Sequence, residues 1–182
     1  CFMKFLQMVT LKTGKRLVFK SPHHTARLKV LHEMFPDARF IHVTRHPFTF
    51  FPSTLRMYRS FDHSQSLQKP AENDGLENYV LECGRRMYDN YLAYRKQVPE
   101  NQILDVRYDD LVKNPVATME NVYAHLSLGN IEPALDGFQK YLAPRKNYVT
   151  NRHQLPDYWQ ARIRSEWGQY FESFGYDSDD EG

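Results

Sequence analysis

Arg45 and Ser53 bracket an apolar stretch, HVTRHPFTFFPSTL at residues 42–55, with Pro47 and Pro52 between them. The arginine stands where the run ARFIHVT (38–44) ends, and its fork of donors matches the oxygens of a phosphate. A hydroxyl near the start of the following helix adds a donor where the helix dipole favours an anion. The same pair also suits a surface arginine and a capping serine. A second apolar run, RLVFK at 16–20, is followed by Ser21, His23 and His24. Lys20, at its end, can neutralise charge developing on a transferred group, and either histidine can take a proton from an attacking hydroxyl near neutral pH. The alternative is that Ser21 and Pro22 cap a helix whose first turn carries both histidines on the surface. Tyr108, in RYDDL, offers a ring for stacking on a base, whereas Asp109 and Asp110, as adjacent residues, point apart and suit capping better than a shared proton. The stretch APRKNYVTNRH concentrates Arg145, Lys146, Arg152 and His153 in a basic loop able to close over an anion. Metal binding is disfavoured, because there is no His-Glu-x-x-His and no Cys pair, and His32 lies nine and eight residues from His23 and His24.

Elements of definite kind must hold these residues. RLVFK and ARFIHVT are predicted to be buried strands, and between them Leu28, Leu31 and Phe35 recur at helical spacing until Pro36. That is a strand-helix-strand unit of the length a parallel crossover requires. QILDVRY (102–108) supplies a third strand. The helix after Arg45 is expected to begin between Phe48 and Thr49, and SFDHSQSLQKPAENDG (60–75) to be a long mobile loop of the sort that covers sites. Leu76, Val80, Cys83, Met87 and Tyr91 describe a long helix ending before Pro99. Another helix follows with Asn114 as N-cap, Pro115 at its first position and Gly129 as terminator, around Val116, Met119, Tyr123 and Leu126. A last one carries Ile163, Trp167, Tyr170 and Phe174 toward Gly175, and the chain opens on a helix, FMKFLQMVTL. Alternating strands and helices imply an α/β layered fold with ligands at the carboxyl ends of the strands.

The 182 residues, 41% hydrophobic, suffice for one core, and the expected organisation is a single domain over 1–176 with an acidic disordered tail at 177–182. Formal charge is +2, and the tail's four acids, Asp177, Asp179, Asp180 and Glu181, leave +6 on the body. So mild an excess suits a small phosphorylated ligand and argues against a nucleic-acid surface. Two cysteines, Cys1 and Cys83, make a disulfide framework improbable; with no signal pattern and no membrane-spanning run, a soluble cytoplasmic protein is expected. An anchor in a segment preceding residue 1 is compatible with this.

The blocks KSPHHTARLKVLHEMFPDARFIHVTRHPFTFFPSTL and VRYDDLVKNPVATMENVYAHLSL, and more loosely FESFGYD, resemble the sulfotransferases that use 3′-phosphoadenosine 5′-phosphosulfate (PAPS), the bacterial Lys-Ser-Pro type above all. The resemblance implies a three-layer parallel sheet flanked by helices, the P-loop nucleoside-triphosphate-hydrolase-like sulfotransferase fold. It implies sulfuryl transfer from PAPS to a hydroxyl or amine of a small-molecule or glycan acceptor, without a metal. Carried over by position, Arg45 and Ser53 would bind the nucleotide 3′-phosphate and Tyr108 the adenine. Lys20 would approach the sulfuryl group, and Arg145 and Lys146 would resemble a phosphate-contacting loop. Cytosolic members have Lys-Thr-His where this chain has Lys-Ser-Pro-His-His, so His23 and His24 both stand as candidate bases. His46 replaces an acidic residue common after the arginine. The family's phosphosulfate-binding loop has no counterpart in residues 1–15, since KTGKR precedes the expected strand instead of joining strand to helix. The chain is therefore expected to be a fragment with an incomplete N-terminus. Two rival readings are a non-catalytic nucleotide-binding relative and a small-molecule kinase of related architecture.

Overall fold

Strands β1 (Phe40–Thr44) and β2 (Ile103–Arg107) run parallel, with His42 opposite Asp105 and Thr44 opposite Arg107. The computed structural model describes residues 2–68, 75–145 and 155–176. In chain order, helices α1 (Phe2–Thr13) and α2 (Leu28–Met34) precede β1, and α3 (Pro47–Gln65) and α4 (Leu76–Arg95) lie between the strands. After β2 come α5 (Tyr108–Lys113), α6 (Pro115–His125), α7 (Glu132–Leu142) and α8 (Asp157–Phe174). Short 3-10 turns occupy Pro22–Arg27, Glu100–Gln102 and Ala143–Arg145.

Side chains alternate across a strand, so each strand has two different faces to bury. Phe40, His42 and Thr44, with Ile103 and Asp105, face the main core of α3, α4 and α8, where Phe51, Val80, Leu81, Ile163 and Trp167 are buried. Leu104 and Val106 face the other way, onto Val122, Leu126 and Met119 of α6 and its flanks. The result is an α/β arrangement of a parallel sheet between helical layers. On the second face of β1, Ile41 and Val43 stay 47% and 46% exposed.

The polar group at the centre of the first face is Asp105. Its Oδ1 lies 2.8 Å from His42 Nδ1 and accepts from the Tyr91 hydroxyl at 2.5 Å, while Arg95 Nε donates to its Oδ2 at 2.9 Å. Arg95 in turn donates from both terminal nitrogens to Glu100, at 2.8 and 3.1 Å. The His42 ring is enclosed by Tyr88, Tyr91 and Phe174, at centroid distances of 5.8, 4.2 and 5.4 Å. One carboxylate thus joins β1, β2 and α4, and a one-residue slip of either strand would separate His42 from Asp105.

Several sequence expectations are corrected. Residues 16–20 form no strand: Val18 is 90% exposed and Phe19 46%, because an apolar run becomes a strand only when a neighbour pairs with it, and β1 pairs with β2 alone among the described residues. Thr-Gly-Lys at 13–15 follows a helix, with Gly14 at φ +61° accepting the turn that ends α1. The polar segment after residue 60 is still helical to Gln65, closed by Ser66 N–H donating to Asp62 C=O; residues 69–74 of the expected loop lie outside the described residues. Helix α3 starts at Pro47, a position where a missing N–H costs nothing, so it begins one residue before Phe48. On α4 Cys83 is exposed and Gly84 is buried instead, because a Cβ there would stand 2.4 Å from the Trp167 ring. The helix expected from the first histidine onward is a 3-10 turn through Arg27 and α-helical only from Leu28. Helix α7 had no counterpart in the sequence reading.

Burial pushes the Asp105 carboxyl up, but donors from His42, Tyr91 and Arg95 outweigh that and hold it below the ordinary value of 3.8. A carboxyl depressed in the folded state binds fewer protons there than when unfolded, so its stabilisation is present above the unfolded pKa and is lost as pH falls through the folded one. Asp105→Asn should lower unfolding free energy by about 2–4 kcal/mol near neutral pH, since it removes the charge on which the His42, Tyr91 and Arg95 donors meet and leaves Arg95 with Glu100 alone. In denaturant titrations the gap to wild type should close as pH falls below about 4; a gap that stays constant through that range contradicts the assignment.

Candidate active site at the carboxyl ends of the strands

Arg45 directly follows β1, and Tyr108 directly follows β2 as the first residue of α5. Parallel pairing in register, Thr44 opposite Arg107, brings their chain positions level, and the Arg45 guanidinium carbon lies 4.9 Å from the centre of the Tyr108 ring. Two candidates 63 residues apart are therefore in contact. Arg45 is half-buried, and among the described residues no carboxylate pairs with it. A stacked arginine without an anion of its own keeps its donor fork available to one.

The turn from β1 into α3 is built by His46, which the sequence offered only as a substitution of unknown effect. His46 is 6% exposed, and its Nδ1 accepts a hydrogen bond from Phe48 N–H at 3.2 Å, so it does the work of an N-cap side chain. Its ring packs edge-on against Phe171 and Tyr176. Ser53 sits two turns into α3, half-buried, one residue after Pro52. Its hydroxyl is a side-chain donor on the helix that starts at Arg45's turn, beyond the backbone donors of the first turn.

Lys20, His23 and His24 stand on a separate segment. Lys20 and His23 are exposed, and His23 Nδ1 is 3.4 Å from the Ser21 hydroxyl. His24 is half-buried, and its Nδ1 is enclosed with no hydrogen-bond partner among the described residues. Desolvation by burial, then the positive charges of Arg27 and His23, lower its pKa from the ordinary 6.5. Burial and these charges both favour the unprotonated form of the His24 ring. Asp109 and Asp110 occupy the first turn of α5, where the helix dipole favours them, but the cap position is Arg107 and no side chain makes a capping hydrogen bond there. Arg145 ends the 3-10 turn after α7, and Lys146, Arg152 and His153 lie outside the described residues, as does the acidic tail from Asp177. Among the described residues no three His, Cys, Asp or Glu side chains are placed to hold a metal ion, and no helix is long and apolar enough to cross a membrane.

One open cavity of about 570 Å³ lies beside these strand ends, bordered by Thr44, Arg107, Asp110, Thr118, Ser173 and Gly175. The sequence did not point to it, because its walls come from five elements, with β1, the β2 to α6 stretch and α8 far apart along the chain. Nor did it point to the part played by Tyr170, whose spacing signalled only an apolar helix face, or by Tyr176, which follows Gly175.

This arrangement is the fold of a known enzyme class. The crystal structure of sulfotransferase STF9 from Mycobacterium avium matches 94% of this chain and 45% of that one with a TM-score of 0.79 at 17% identity. The sulfotransferase domain from the curacin biosynthetic pathway matches 91% and 67% with a TM-score of 0.54 at 19% identity. Residues 2–132 match the family profile described as the sulfotransferase family, and the chain belongs to that family. It is 34% identical over 174 residues to the omega-hydroxy-beta-dihydromenaquinone-9 sulfotransferases Stf3 of Mycobacterium bovis and Mycobacterium tuberculosis, a match covering 96% of this chain. The chain spans 45% of the length of those relatives.

The lowered pKa of His24 has a direct readout. In a proton NMR titration its ring signals should move with a midpoint below 6.5, the ordinary value. Protonation also opposes folding here: the unfolded chain binds the proton first as pH falls, so this residue withdraws stability between the unfolded and the folded pKa. A midpoint at or above 6.5 would contradict the burial described.

Proposed function

We propose that the intact protein is a PAPS-dependent sulfotransferase and that the carboxyl ends of β1 and β2 form its 3′-phosphate site. The observation that carries this reading is Arg45 stacked on Tyr108 with no carboxylate paired to it among the described residues, at the place where an open α/β sheet takes its ligands. Arg45, with the Ser53 hydroxyl, would hold the 3′-phosphate through charge-assisted hydrogen bonds, and Tyr108 would lie against the adenine. Arg145 and Lys146 would add phosphate contacts. When bound, PAPS supplies the sulfuryl group. His24 would take the proton of the acceptor hydroxyl as that oxygen bonds to sulfur, a role supported by its half-buried ring and by an enclosed Nδ1 with no hydrogen-bond partner among the described residues. Lys20 would offset the negative charge that develops on the departing oxygen.

For the acceptor, similarity to the Stf3 proteins favours a hydroxyl on a large apolar lipid over a glycan or an amine. With labelled PAPS, the intact natural protein should label a prenyl alcohol and leave sugars unlabelled; label on sugars alone would reverse that choice. The site itself is tested by calorimetry. Arg45→Ala should weaken adenosine 3′,5′-bisphosphate by about 1.5–3 kcal/mol, the usual worth of a charge-assisted contact, and hardly change adenosine 5′-monophosphate. Equal losses for both ligands would refute the role. Tighter wild-type binding of ATP with Mg²⁺ than of the bisphosphate would favour a kinase.

A further inference from the structure

Arg45 is gripped at its backbone by a side chain from the far end of the chain. The Tyr170 hydroxyl accepts a hydrogen bond from Arg45 N–H at 3.0 Å and donates one to Arg45 C=O at 2.9 Å. A hydroxyl can donate once and accept besides, so this one group satisfies both backbone polar atoms of the residue that leaves the strand. Arg45 has passed the end of the ladder, where β2 no longer supplies partners, because α5 begins opposite it. Without Tyr170 the two atoms would depend on solvent, and the backbone that aims the guanidinium would be held only by its neighbours in sequence.

Tyr170 is itself tightly placed. It is 2% exposed, edge-on to Tyr88 and Phe174 with centroids 4.4 and 4.7 Å away, and stacked on Tyr176 at 5.9 Å. The Tyr176 hydroxyl is 3.0 Å from Thr44 Oγ1, and Arg107 donates to Gly175 C=O at 3.2 Å while its guanidinium lies over the Tyr176 ring at 4.4 Å. The end of α8 and its cap therefore hold the last residue of each strand, and Tyr170 reaches one residue further, to Arg45.

We infer that Tyr170 is a positioning residue for the anion site: its hydroxyl fixes the backbone of Arg45 so that the guanidinium stands over Tyr108 with its donors turned to a phosphate. The inference rests on the reading of Arg45 as the 3′-phosphate ligand. It adds a dependence of that ligand on the carboxyl-terminal helix, 125 residues away in sequence. Tyr170 touches no nucleotide in this scheme and acts only through Arg45.

The test is Tyr170→Phe in the intact natural protein, which keeps the ring and its aromatic contacts and removes only the hydroxyl. Tyr176→Phe serves as control, because it removes a neighbouring buried hydroxyl that bonds to Thr44 and not to Arg45. Dissociation constants are measured for adenosine 3′,5′-bisphosphate and for adenosine 5′-monophosphate. Tyr170→Phe should reduce the preference for the bisphosphate about tenfold, the worth of one to two hydrogen bonds. Tyr176→Phe should leave that preference unchanged even if its melting temperature falls by as much. Amide exchange at Arg45 should also accelerate in Tyr170→Phe alone. A preference undiminished in Tyr170→Phe, or diminished equally in both variants, overturns this inference only. A wild-type protein with no preference for the bisphosphate overturns the phosphate reading of Arg45 and this inference with it.

Discussion

The carboxylate of Asp105 is the fixed point about which the described structure is arranged. Three donors from two other elements meet on it: His42 from β1, Tyr91 and Arg95 from α4. A charge this enclosed is costly to bury unless it is paired and hydrogen-bonded, and the cost makes the arrangement selective. Any register other than His42 opposite Asp105 would leave the carboxylate short of its partner from β1. Between β1 and β2, each five residues long, few ladder bonds specify the pairing, and such a polar lock has a large share of that task.

Register matters here because the site is made of what lies just past the strands. Level strand ends put Arg45 beside Tyr108; displacement by one residue would move one of them by about 3.3 Å along the strand and turn it to the opposite face. Two further constraints then refine Arg45. His46 caps α3 and sets the exit direction, and α8 reaches the Arg45 backbone through the Tyr170 hydroxyl. Aromatic rings are suited to this closing role because they bury large apolar areas while their hydroxyls satisfy buried backbone. The candidate residues His23 and His24 are held differently, in a short 3-10 turn preceding α2, and they are not tied to the same lock.

The chemistry-bearing residues were legible because polar side chains interrupting apolar runs have few ordinary explanations. Arg45 after ARFIHVT and Tyr108 after ILDVR are of this kind, and both stand at strand ends. Strand β1, the helices around Leu76 and Pro115 and the final aromatic helix were legible from period and punctuation. What escaped was whatever depends on partners remote in sequence. RLVFK has strand composition but no neighbour to pair with, and Ser60–Gln65 looks like a loop because an exposed helical turn needs no apolar residue. Cys83 looks like core and Gly84 like a weak point, until Trp167 is known to lie against that face of α4. His42, Asp105 and Tyr170 each looked like strand or helix filler, since no local pattern announces a hydrogen bond to a residue 63 or 125 positions away.

The central claim is that the two strand ends present a 3′-phosphate site assembled by register and by α8. The most direct measurement is a crystal structure of the intact natural protein with adenosine 3′,5′-bisphosphate. The account predicts the 3′-phosphate within hydrogen-bond distance, about 2.7–3.2 Å, of both the Arg45 guanidinium and the Ser53 hydroxyl. A nucleotide bound with its 3′-phosphate in solvent, or held by other residues while Arg45 stays on Tyr108 alone, would contradict it.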